Sequence, residues 1–491
     1  MIENIDLSFL FEDRIPALIV DGLNGEEKKA ILEKLVTLAN IEFIKHYENR
    51  SCAALFSAQV IDFMKLLGKT VEDVIVGRNT GIRYSAVEMD NLFHNIKYLC
   101  EGSITTQLCD IIPTDIPAII VSAGPSLNKN IMELKGAKNK AFIVAVDTAV
   151  RPLVNAGIIP DMYVIVDGLK PKELLDFDEA KRIPLMPSIT STKEILESHT
   201  GKKIFYFEGQ RFIWSMMMMN GIPFSTVACG GSVACSAFSL VYKLGFSRII
   251  LVGQDLALTG NKTHADGTFK GVMDEIDTSR CIKVPGNYEE EVPTRGDFKL
   301  YLDWFNYYIE GCEGIHVINA TEGGAKIDNT EIMTLHDAIM RECIKEVDID
   351  ACFEKLKPIF NAEQQHKALE YLKTFPEMYR KMKKKVIKLN KEYQKLKTIC
   401  GKSIIDKNAY LRALKNIKNL TQEIEKHELY DTISCTLSVA NYIIESEQFY
   451  EEDTVAAEGL QIAKQGITYT KMVEQCIDLF MPLTEETLLT L

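Results

Sequence analysis

The sequence predicts the α/β fold class, with a mostly parallel sheet at its centre. An apolar run, Ala118–Val121, stops at a loop of small residues, and after a short helical segment a second apolar run, Phe142–Val146, ends on Asp147. The same alternation of strands and helices then repeats along the chain, as is typical of a Rossmann-like domain. In such sheets ligands bind at the carboxyl ends of the strands, so we expect the site there.

The later elements continue this alternation. A helix follows Asp147, and the turn Gly230-Gly231-Ser232 opens another helix that Gly245 ends. Residues 259–294 lack periodicity and contain several glycines, which favours a long loop acting as an active-site lid. The remaining predicted elements are strands at 163–166, 183–186, 204–207, 248–252 and 316–318, and a helix at 298–309.

The flanking regions have a different pattern. Residues 1–115 are mixed, with predicted helices near 26–46 and 71–76, whereas strands disappear after about residue 334. Between Met382 and Cys400 apolar residues recur at spacings of four and three, which predicts one face of a long helix. We therefore predict an N-terminal accessory domain (1–115), a central Rossmann-like domain (116–335) and a C-terminal helical bundle (336–491).

Composition narrows the functional classes. The 12 cysteines are scattered without Cys-x-x-Cys spacing, which favours reduced thiols in the cytoplasm over disulfides or a zinc site. The first residues lack the basic start of a signal peptide, and no apolar run reaches the roughly 18 residues that span a bilayer. A net charge of −13 argues against a general nucleic-acid binder. We expect a cytoplasmic protein without a membrane span.

One segment departs from the acidic average. Between Lys373 and Lys418 there are 15 Lys and Arg residues against three acidic ones. A solvated helix face is the default interpretation, and a docking face for a protein partner is the alternative.

Three aspartates each end a predicted strand: Asp147, Asp167 and Asp255. One such aspartate is usually a cap or turn residue. Three at one sheet edge favour a site whose carboxylates orient sugar or ribose hydroxyls, or hold Mg²⁺.

Two glycine loops are candidate anion sites. Gly124-Pro125-Ser126 has neither a Walker A ending nor a dinucleotide fingerprint, so Ser126 is either a helix cap or part of a phosphate-binding loop. Gly230-Gly231-Ser232 is either a tight turn into a helix or a place where backbone closely approaches an anion. In the candidate lid, His264 would transfer protons near neutral pH if it lay over a nucleotide.

Together these motifs resemble the motility-associated factor glycosyltransferases, which transfer nonulosonic acids onto flagellin. The resemblance covers AIIVSAGPSL from residue 118, VDTAVRPLVNAGIIPDMYVIVDG from 146, GGSVACSAFSLVYKLGFSRIILVGQDLALTGNKTHADG from 230 and NATEGGAKI from 319. The same core is similar to bacterial CMP-sialic acid transferases and to 6-hydroxymethylpterin diphosphokinase MptE-like proteins.

The resemblance implies a GT-A-like fold and an inverting transfer of pseudaminic, legionaminic or a related acid from its CMP conjugate to Ser or Thr of flagellin. Flagellin would be the acceptor partner and its chaperone a further candidate partner, and no cofactor would be required beyond the CMP-sugar. His264 and Asp255 would serve proton transfer or its positioning. The implied nucleotide and sugar contacts are Gly124, Ser126, Asp147, Asp167, Gly230, Gly231, Ser232, Gln254, Thr321 and Glu322.

Two alternatives remain open. The diphosphokinase resemblance implies ATP and Mg²⁺ as ligands, with a hydroxymethylpterin as substrate. A non-catalytic flagellar assembly factor would keep only the fold.

Overall fold

The computed structural model describes residues 25–36, 41, 44, 55–268, 278–437 and 454–490 of the 491-residue chain. The described backbone divides into two compact units. The smaller unit comprises the described residues within Met1–Ala86 and Thr374–Thr484, and the larger unit those within Val87–Lys373 and Glu485–Leu491. The three-domain division expected from the sequence stays a prediction.

The larger unit is built on a parallel sheet. The strands among the described residues are β1 (Ser103–Ile104), β2 (Ala118–Val121), β3 (Phe142–Val146), β4 (Met162–Ile165), β5 (Leu185–Pro187), β6 (Ile204–Phe205), β7 (Arg248–Val252), β8 (Ile282–Pro285), β9 (Glu291–Thr294), β10 (His316–Asn319) and β11 (Glu331–Ile332). Seven of them form one sheet in the order β11-β10-β7-β2-β3-β4-β5, and each neighbouring pair is parallel. The predicted α/β fold class is confirmed.

Burial explains why these segments form strands. Every residue of β2 and β3 is buried, and Ile120 pairs with Val144 on one side and with Leu251 on the other. Parallel strands covered by helices on both faces need such continuous apolar runs. On one side of β2 the sheet continues with β3, β4 and β5, and on its other side it continues with β7, β10 and β11. The strand order therefore reverses between β2 and β7, which is the topological switch point where open α/β sheets bind ligands.

Helices supply the remaining layers. The described α-helices are Gly25–Leu35, Ser57–Glu101, Leu127–Asn130, Asp147–Asn155, Asp178–Arg182, Lys193–Ser198, Arg211–Met219, Val233–Lys243, Gly296–Glu310, Leu335–Glu342, Ile349–Glu354, Ala362–Leu372, Phe375–Cys400, Lys407–Glu425, Tyr430–Ser434 and Val455–Thr490. Short 3₁₀ helices cover Thr105–Asp110, Ile131–Gly136, Lys172–Leu174, Thr259–Asn261, Thr278–Arg280 and Cys435–Leu437. None of the described helices is long and apolar enough to cross a bilayer.

The C-terminal helical region is also confirmed. The helix Phe375–Cys400 buries Met382, Val386, Leu389, Leu396 and Cys400 along one face and packs on the helix Lys407–Glu425. Its lysines lie mostly on the other faces, where Lys383 contacts Asp478 at 2.7 Å.

The predicted strand at 204–207 is present as the shorter β6, which pairs with β1 outside the seven-stranded sheet. Two other expectations need correction or restriction. Residues 259–294 are not wholly irregular, because β8 and β9 form an antiparallel hairpin, and Gly286, one of the glycines that suggested a loop, lies in its turn. The helix predicted at 71–76 is part of Ser57–Glu101, and most of the one predicted at 26–46 beyond Leu35 lies outside the described residues.

Candidate functional site

The switch point brings two loops into direct contact. A Cβ on Gly124 would lie 2.1 Å from Asp255 Oδ1, and a Cβ on Gly253, whose φ is +65°, would lie 2.3 Å from the Ser122 carbonyl oxygen. Only glycine fits at either position. The loop after β2 and the loop after β7 are therefore packed backbone against backbone.

Asp255 holds the first of these loops. Its side chain is 3% exposed and accepts hydrogen bonds from the Ser126 hydroxyl at 2.6 Å and the Ser126 N–H at 3.1 Å. Burial raises the pKa of this carboxyl, against the opposing effect of the Ser126 hydroxyl. Ser126 makes no side-chain cap bond to the helix that follows it. Its hydroxyl is used for the contact with Asp255.

The N–H groups of the Gly124-Pro125-Ser126 loop are likewise occupied. Gly124 donates to the Gly253 carbonyl at 2.8 Å, Leu127 to the Gly124 carbonyl at 3.0 Å and Asn128 to the Pro125 carbonyl at 3.2 Å. The following helix has only four residues. This loop is thus internally satisfied in the structure, and the predicted CMP contacts of Gly124 and Ser126 stay a prediction.

The loop after β10 completes the packing around Asp255. A Cβ on Gly324 would lie 2.3 Å from the Asp255 carbonyl oxygen. Thr321 Oγ1 accepts from the Gln254 N–H at 3.1 Å, and Asn130 Nδ2 donates to Glu322 Oε1 at 3.1 Å. Gln254 also accepts a hydrogen bond from the Ser122 hydroxyl. The structure therefore brings together Gly124, Ser126, Gln254, Asp255, Thr321 and Glu322.

His264 lies on a segment beside this group. The neighbouring Ala265 N–H donates to the Ala123 carbonyl at 2.8 Å, and the Asp266 N–H donates to Asn128 Oδ1 at 3.0 Å. The His264 ring is partly buried, with Nδ1 2.9 Å from Thr263 Oγ1. The segment is positioned against the loop after β2, and the role of His264 in proton transfer stays a prediction.

Asp147 and Asp167 share the sheet edge but have their own partners. Asp147 is 1% exposed, pairs with Lys170 at 2.9 Å and accepts the Thr148 N–H at 2.6 Å. Asp167 accepts the Leu169 N–H at 2.8 Å. The three strand-end aspartates therefore do not form one carboxylate cluster. Among the described residues, no group of three or more His, Cys, Asp or Glu is placed to hold a metal ion.

The second glycine loop has a different geometry. Gly231 has a φ of +81°, and a Cβ on Gly230 would lie 2.5 Å from the Trp304 ring. Ser232 caps the 11-residue helix Val233–Lys243 by accepting from the Cys235 N–H at 3.4 Å. The helix N-terminus points to the carboxyl edge, because the chain runs back along the sheet before entering β7.

Backbone donors remain available at this helix N-terminus. Within the described part of the chain, the N–H groups of Gly231, Ser232, Val233 and Ala234 have no hydrogen-bond acceptor. Such groups, reinforced by the helix dipole, form a ready binding site for a phosphate or carboxylate. The Gly230-Gly231-Ser232 turn is accordingly the better placed of the two glycine loops for an anion.

Two acidic residues near this turn, Glu88 and Glu208, were not predicted from the sequence. Burial, with the charges of Glu208 and Asp167, raises the pKa of Glu88 to about 7. Burial also raises the pKa of Glu208, although Cys229, Ser188 and Tyr206 favour its charged form. Glu208 directly follows the predicted strand at 204–207, as the three aspartates follow theirs, and this position is the sequence signal that marks it. Glu88 lies on the distant helix Ser57–Glu101, and no sequence signal marks it.

Comparisons with known proteins agree with the resemblances to the motility-associated factor glycosyltransferases and to the MptE-like proteins. Residues 90–261 match the family model described as 6-hydroxymethylpterin diphosphokinase MptE-like. An uncharacterized protein of Treponema pallidum (strain Nichols) is 24% identical over 144 residues, which are 29% of this chain and 67% of that protein.

A solved structure is similar over nearly the whole chain. It is a MAf glycosyltransferase from Magnetospirillum magneticum AMB-1, which superimposes with a TM-score of 0.57 at 14% identity and covers 95% of this chain and 69% of that one. The chain thus has the fold of a motility-associated factor glycosyltransferase, and its central segment resembles the MptE-like family.

Proposed function

We propose that this protein is a glycosyltransferase that moves a nonulosonic acid, such as a pseudaminic or legionaminic acid derivative, from its CMP conjugate to Ser or Thr of flagellin. The observation that carries the proposal is the set of available N–H groups at Gly231–Ala234, at the carboxyl edge of a sheet whose fold is that of a glycosyltransferase. The resemblance carried by the motifs quoted above implies the donor and acceptor classes of the proposal.

The proposed transfer requires few protein groups. Departure of CMP leaves negative charge on a phosphate and an oxocarbenium-like centre next to a carboxylate on the sugar. Preorganised donors stabilise that developing charge, and holding both substrates in place supplies much of the remaining acceleration. In the proposal the turn formed by Gly230, Gly231 and Ser232 binds the phosphate. Inversion at the anomeric carbon follows from the resemblance.

The other predicted site residues have proposed roles that depend on where they lie in the fold. Gln254, Thr321 and Glu322 surround the switch point with Gly124, Ser126 and Asp255, where they shape the neighbouring surface. Asp147 and Asp167 are proposed to orient sugar or ribose hydroxyls. His264 and Asp255 keep the proposed roles in proton transfer or its positioning, and no cofactor is proposed.

The deciding experiment is transfer in vitro. Purified protein is incubated with flagellin and a panel of CMP-nonulosonic acids, and intact mass is measured. A mass gain that depends on one donor is the expected result. Flagellin with its modified Ser and Thr residues changed to Ala is the matched control. Absence of a mass gain with every donor contradicts the proposal.

The match of residues 90–261 favours a second candidate, a 6-hydroxymethylpterin diphosphokinase. That activity would consume ATP with a hydroxymethylpterin and would stop when a chelator removes Mg²⁺. The described residues do not offer a clustered carboxylate set for the metal. ATP turnover that depends on the pterin, without flagellin modification, would favour this candidate.

We further propose that the basic face of the helix Phe375–Cys400 binds flagellin or its chaperone in the cytoplasm. Lys384, Lys388 and Lys391 are exposed on this helix. Changing all three to Glu should weaken flagellin binding in a pull-down at low salt. Unchanged binding would leave these lysines as a solvated helix face, the default interpretation.

A further inference from the structure

The turn after β7 has a strained backbone. Its residues Gly253 and Leu256 are left-handed, with φ values of +65° and +51°. The predicted site residues Gln254 and Asp255 lie between them. Glycine adopts this conformation freely, whereas it costs free energy for a bulky side chain. The other non-glycine residues with positive φ in the described part of the chain are three asparagines, which tolerate it. Leu256 is therefore the strained residue of this turn.

Strain of this kind persists only where the surrounding structure holds it, and here β9 does so. The Thr294 hydroxyl donates to the Leu256 carbonyl at 2.7 Å, and the next acceptor, the Arg295 carbonyl, is 3.5 Å away. The Leu258 N–H donates to the Pro293 carbonyl at 2.8 Å. Thr294 is fully buried and Leu256 is buried, so solvent does not replace the hydroxyl bond if it is lost.

The other end of the β8–β9 hairpin is attached to the loop after β10. Asn287, in the turn between the two strands, donates from Nδ2 to the Gly323 carbonyl at 2.7 Å and to the Thr321 carbonyl at 3.3 Å. Its Oδ1 accepts from Asn319 Nδ2 at 3.1 Å, and its N–H donates to the Gly324 carbonyl at 3.0 Å. The amide of Asn287 is thus fully used in holding this loop.

Both attachments act on Asp255. On one side, the strained Leu256 follows it directly in the chain. On the other side, the loop after β10 packs on its backbone, because the Ala325 N–H donates to the Asp255 carbonyl at 2.7 Å. A Cβ on Gly323 would also lie 3.5 Å from the Cβ of Ser126, the residue that hydrogen-bonds the Asp255 carboxylate. The hairpin therefore fixes the backbone from which that carboxylate extends.

We propose that the β8–β9 hairpin is a brace for the turn after β7, with Thr294 and Asn287 as positioning residues for Asp255. The inference rests on the proposed glycosyl transfer, in which Asp255 serves proton transfer or its positioning. Without the Thr294 bond, Leu256 would relax towards a negative φ and rotate the backbone that carries Asp255. A displacement of about 1 Å in a reacting arrangement costs about 100-fold in rate.

The test compares two substitutions of one residue. Thr294→Val keeps the shape of the side chain and removes its hydroxyl, whereas Thr294→Ser keeps the hydroxyl and removes a buried methyl group. Thr330→Val is the matched control, because the Thr330 hydroxyl also donates to a carbonyl, that of Ile327, at 2.7 Å. Flagellin mass gain gives kcat and KM with the panel of CMP-nonulosonic acids. The fluorescence of Trp304, which lies against Gly230, reports CMP binding.

We expect Thr294→Val to lose about 10- to 100-fold in kcat while its affinity for CMP stays within about twofold of wild type, since the turn at Gly230 is untouched. Thr294→Ser should keep kcat within about threefold of wild type, although its urea midpoint should fall with the lost methyl group. Thr330→Val should keep both values. A role in packing alone would instead leave kcat unchanged or lower it more in Thr294→Ser than in Thr294→Val.

A second pair of variants decides the matter if Thr294→Val does not fold. Asn287→Ala releases the loop after β10, and Asn306→Ala removes a comparable bond, in which Asn306 Oδ1 accepts the Asp328 N–H at 2.9 Å. Only Asn287→Ala should lower kcat, by about tenfold, with CMP affinity unchanged. Equal kcat values in these two variants overturn the brace.

The outcomes separate this inference from the proposed function. Transfer by wild type, together with a folded Thr294→Val variant that keeps its kcat, overturns the brace and leaves the glycosyltransferase proposal standing. CMP binding by wild type without transfer from any sugar donor overturns the proposed function itself, and with it the role of the hairpin in transfer.

Discussion

The two glycine loops of this protein look alike in sequence and differ in what their donors do. Gly124-Pro125-Ser126 and Gly230-Gly231-Ser232 both end in serine, and both open a helix at the carboxyl edge of the sheet. In the first, the N–H groups and the serine hydroxyl have partners within the protein. In the second, four successive N–H groups have none within the described part of the chain.

The difference lies in the neighbour each loop faces. The first faces Asp255, a buried carboxylate that must be hydrogen-bonded to be tolerated. The second faces the aromatic rings of Trp304 and Tyr301, which offer no strong acceptor to its N–H groups. A glycine-serine motif therefore predicts a loop that other atoms can approach closely. The side chain that faces the loop determines whether its N–H groups bond within the protein or stay available to a ligand.

The largest expected effect follows Gly124→Ala. The added methyl group would meet Asp255 Oδ1 at 2.1 Å and the Gly253 carbonyl oxygen at 2.5 Å, so β2 and β7 could not keep their spacing. We expect the free energy of unfolding to fall by about 3 kcal/mol or more. Tryptophan fluorescence in urea measures it, because the chain's two tryptophans, Trp214 and Trp304, both lie in the larger unit.

Gly296→Ala is the matched control for this substitution. Apart from its neighbours in the chain, no atom of the described residues lies within 4 Å of the added Cβ, and the position begins a helix. Its unfolding free energy should stay within about 1 kcal/mol of wild type. Equal losses in the two variants would mean that the contact between the loops after β2 and β7 is not what makes Gly124 necessary.

The second-largest expected effect is the pH-dependent contribution of Asp255 to stability. Its folded-state pKa is raised by burial, so the folded protein binds the proton more tightly than the unfolded chain, whose Asp has a pKa of about 3.9. The stability that this carboxyl contributes to the folded protein is then fully present below a pH of about 3.9 and is lost as pH rises through the folded-state pKa. Urea titrations of wild type and Asp255→Asn at several pH values measure it.

As pH rises, we expect the unfolding free energy of wild type to fall relative to that of Asp255→Asn. At one pH, the unfolding free energies of wild type and Asp255→Asn should differ by about 1–3 kcal/mol, the range for a buried polar group that changes its hydrogen bonding. A difference that does not change with pH would contradict a raised pKa at Asp255.

Local patterns predicted the strands well and the contacts between loops poorly. β2, β3 and β7 were predicted at the residues where they occur, because buried parallel strands require uninterrupted apolar runs. The bond from Ser126 to Asp255 joins residues 129 positions apart, and no local pattern contains such a contact. The same reason hid Glu88, which lies on the helix Ser57–Glu101 and interacts with Asp167 and Glu208 far along the chain.

The hairpin of β8 and β9 was missed for a different reason. Its strands are four residues each and include Pro285 and Pro293, and the turn between them begins at Gly286. Proline and glycine normally indicate a break in structure, and exposed two-stranded hairpins carry little apolar alternation to outweigh that signal.

The smallest predicted effect separates helix capping from ligand binding at the second loop. Ser232→Ala removes an N-cap whose hydroxyl accepts the Cys235 N–H at 3.4 Å, and Thr334→Ala removes a comparable cap on the helix Leu335–Glu342, where the Asp337 N–H is accepted at 3.1 Å. Each should lower the unfolding free energy by about 0.5–1 kcal/mol. Only Ser232→Ala should also weaken CMP binding, by about tenfold, since its hydroxyl adjoins the available N–H groups and would donate to the phosphate. If CMP titrations give both variants the wild-type affinity, Ser232 is a cap like Thr334, and the N–H groups after Gly230 would have to bind the anion without it.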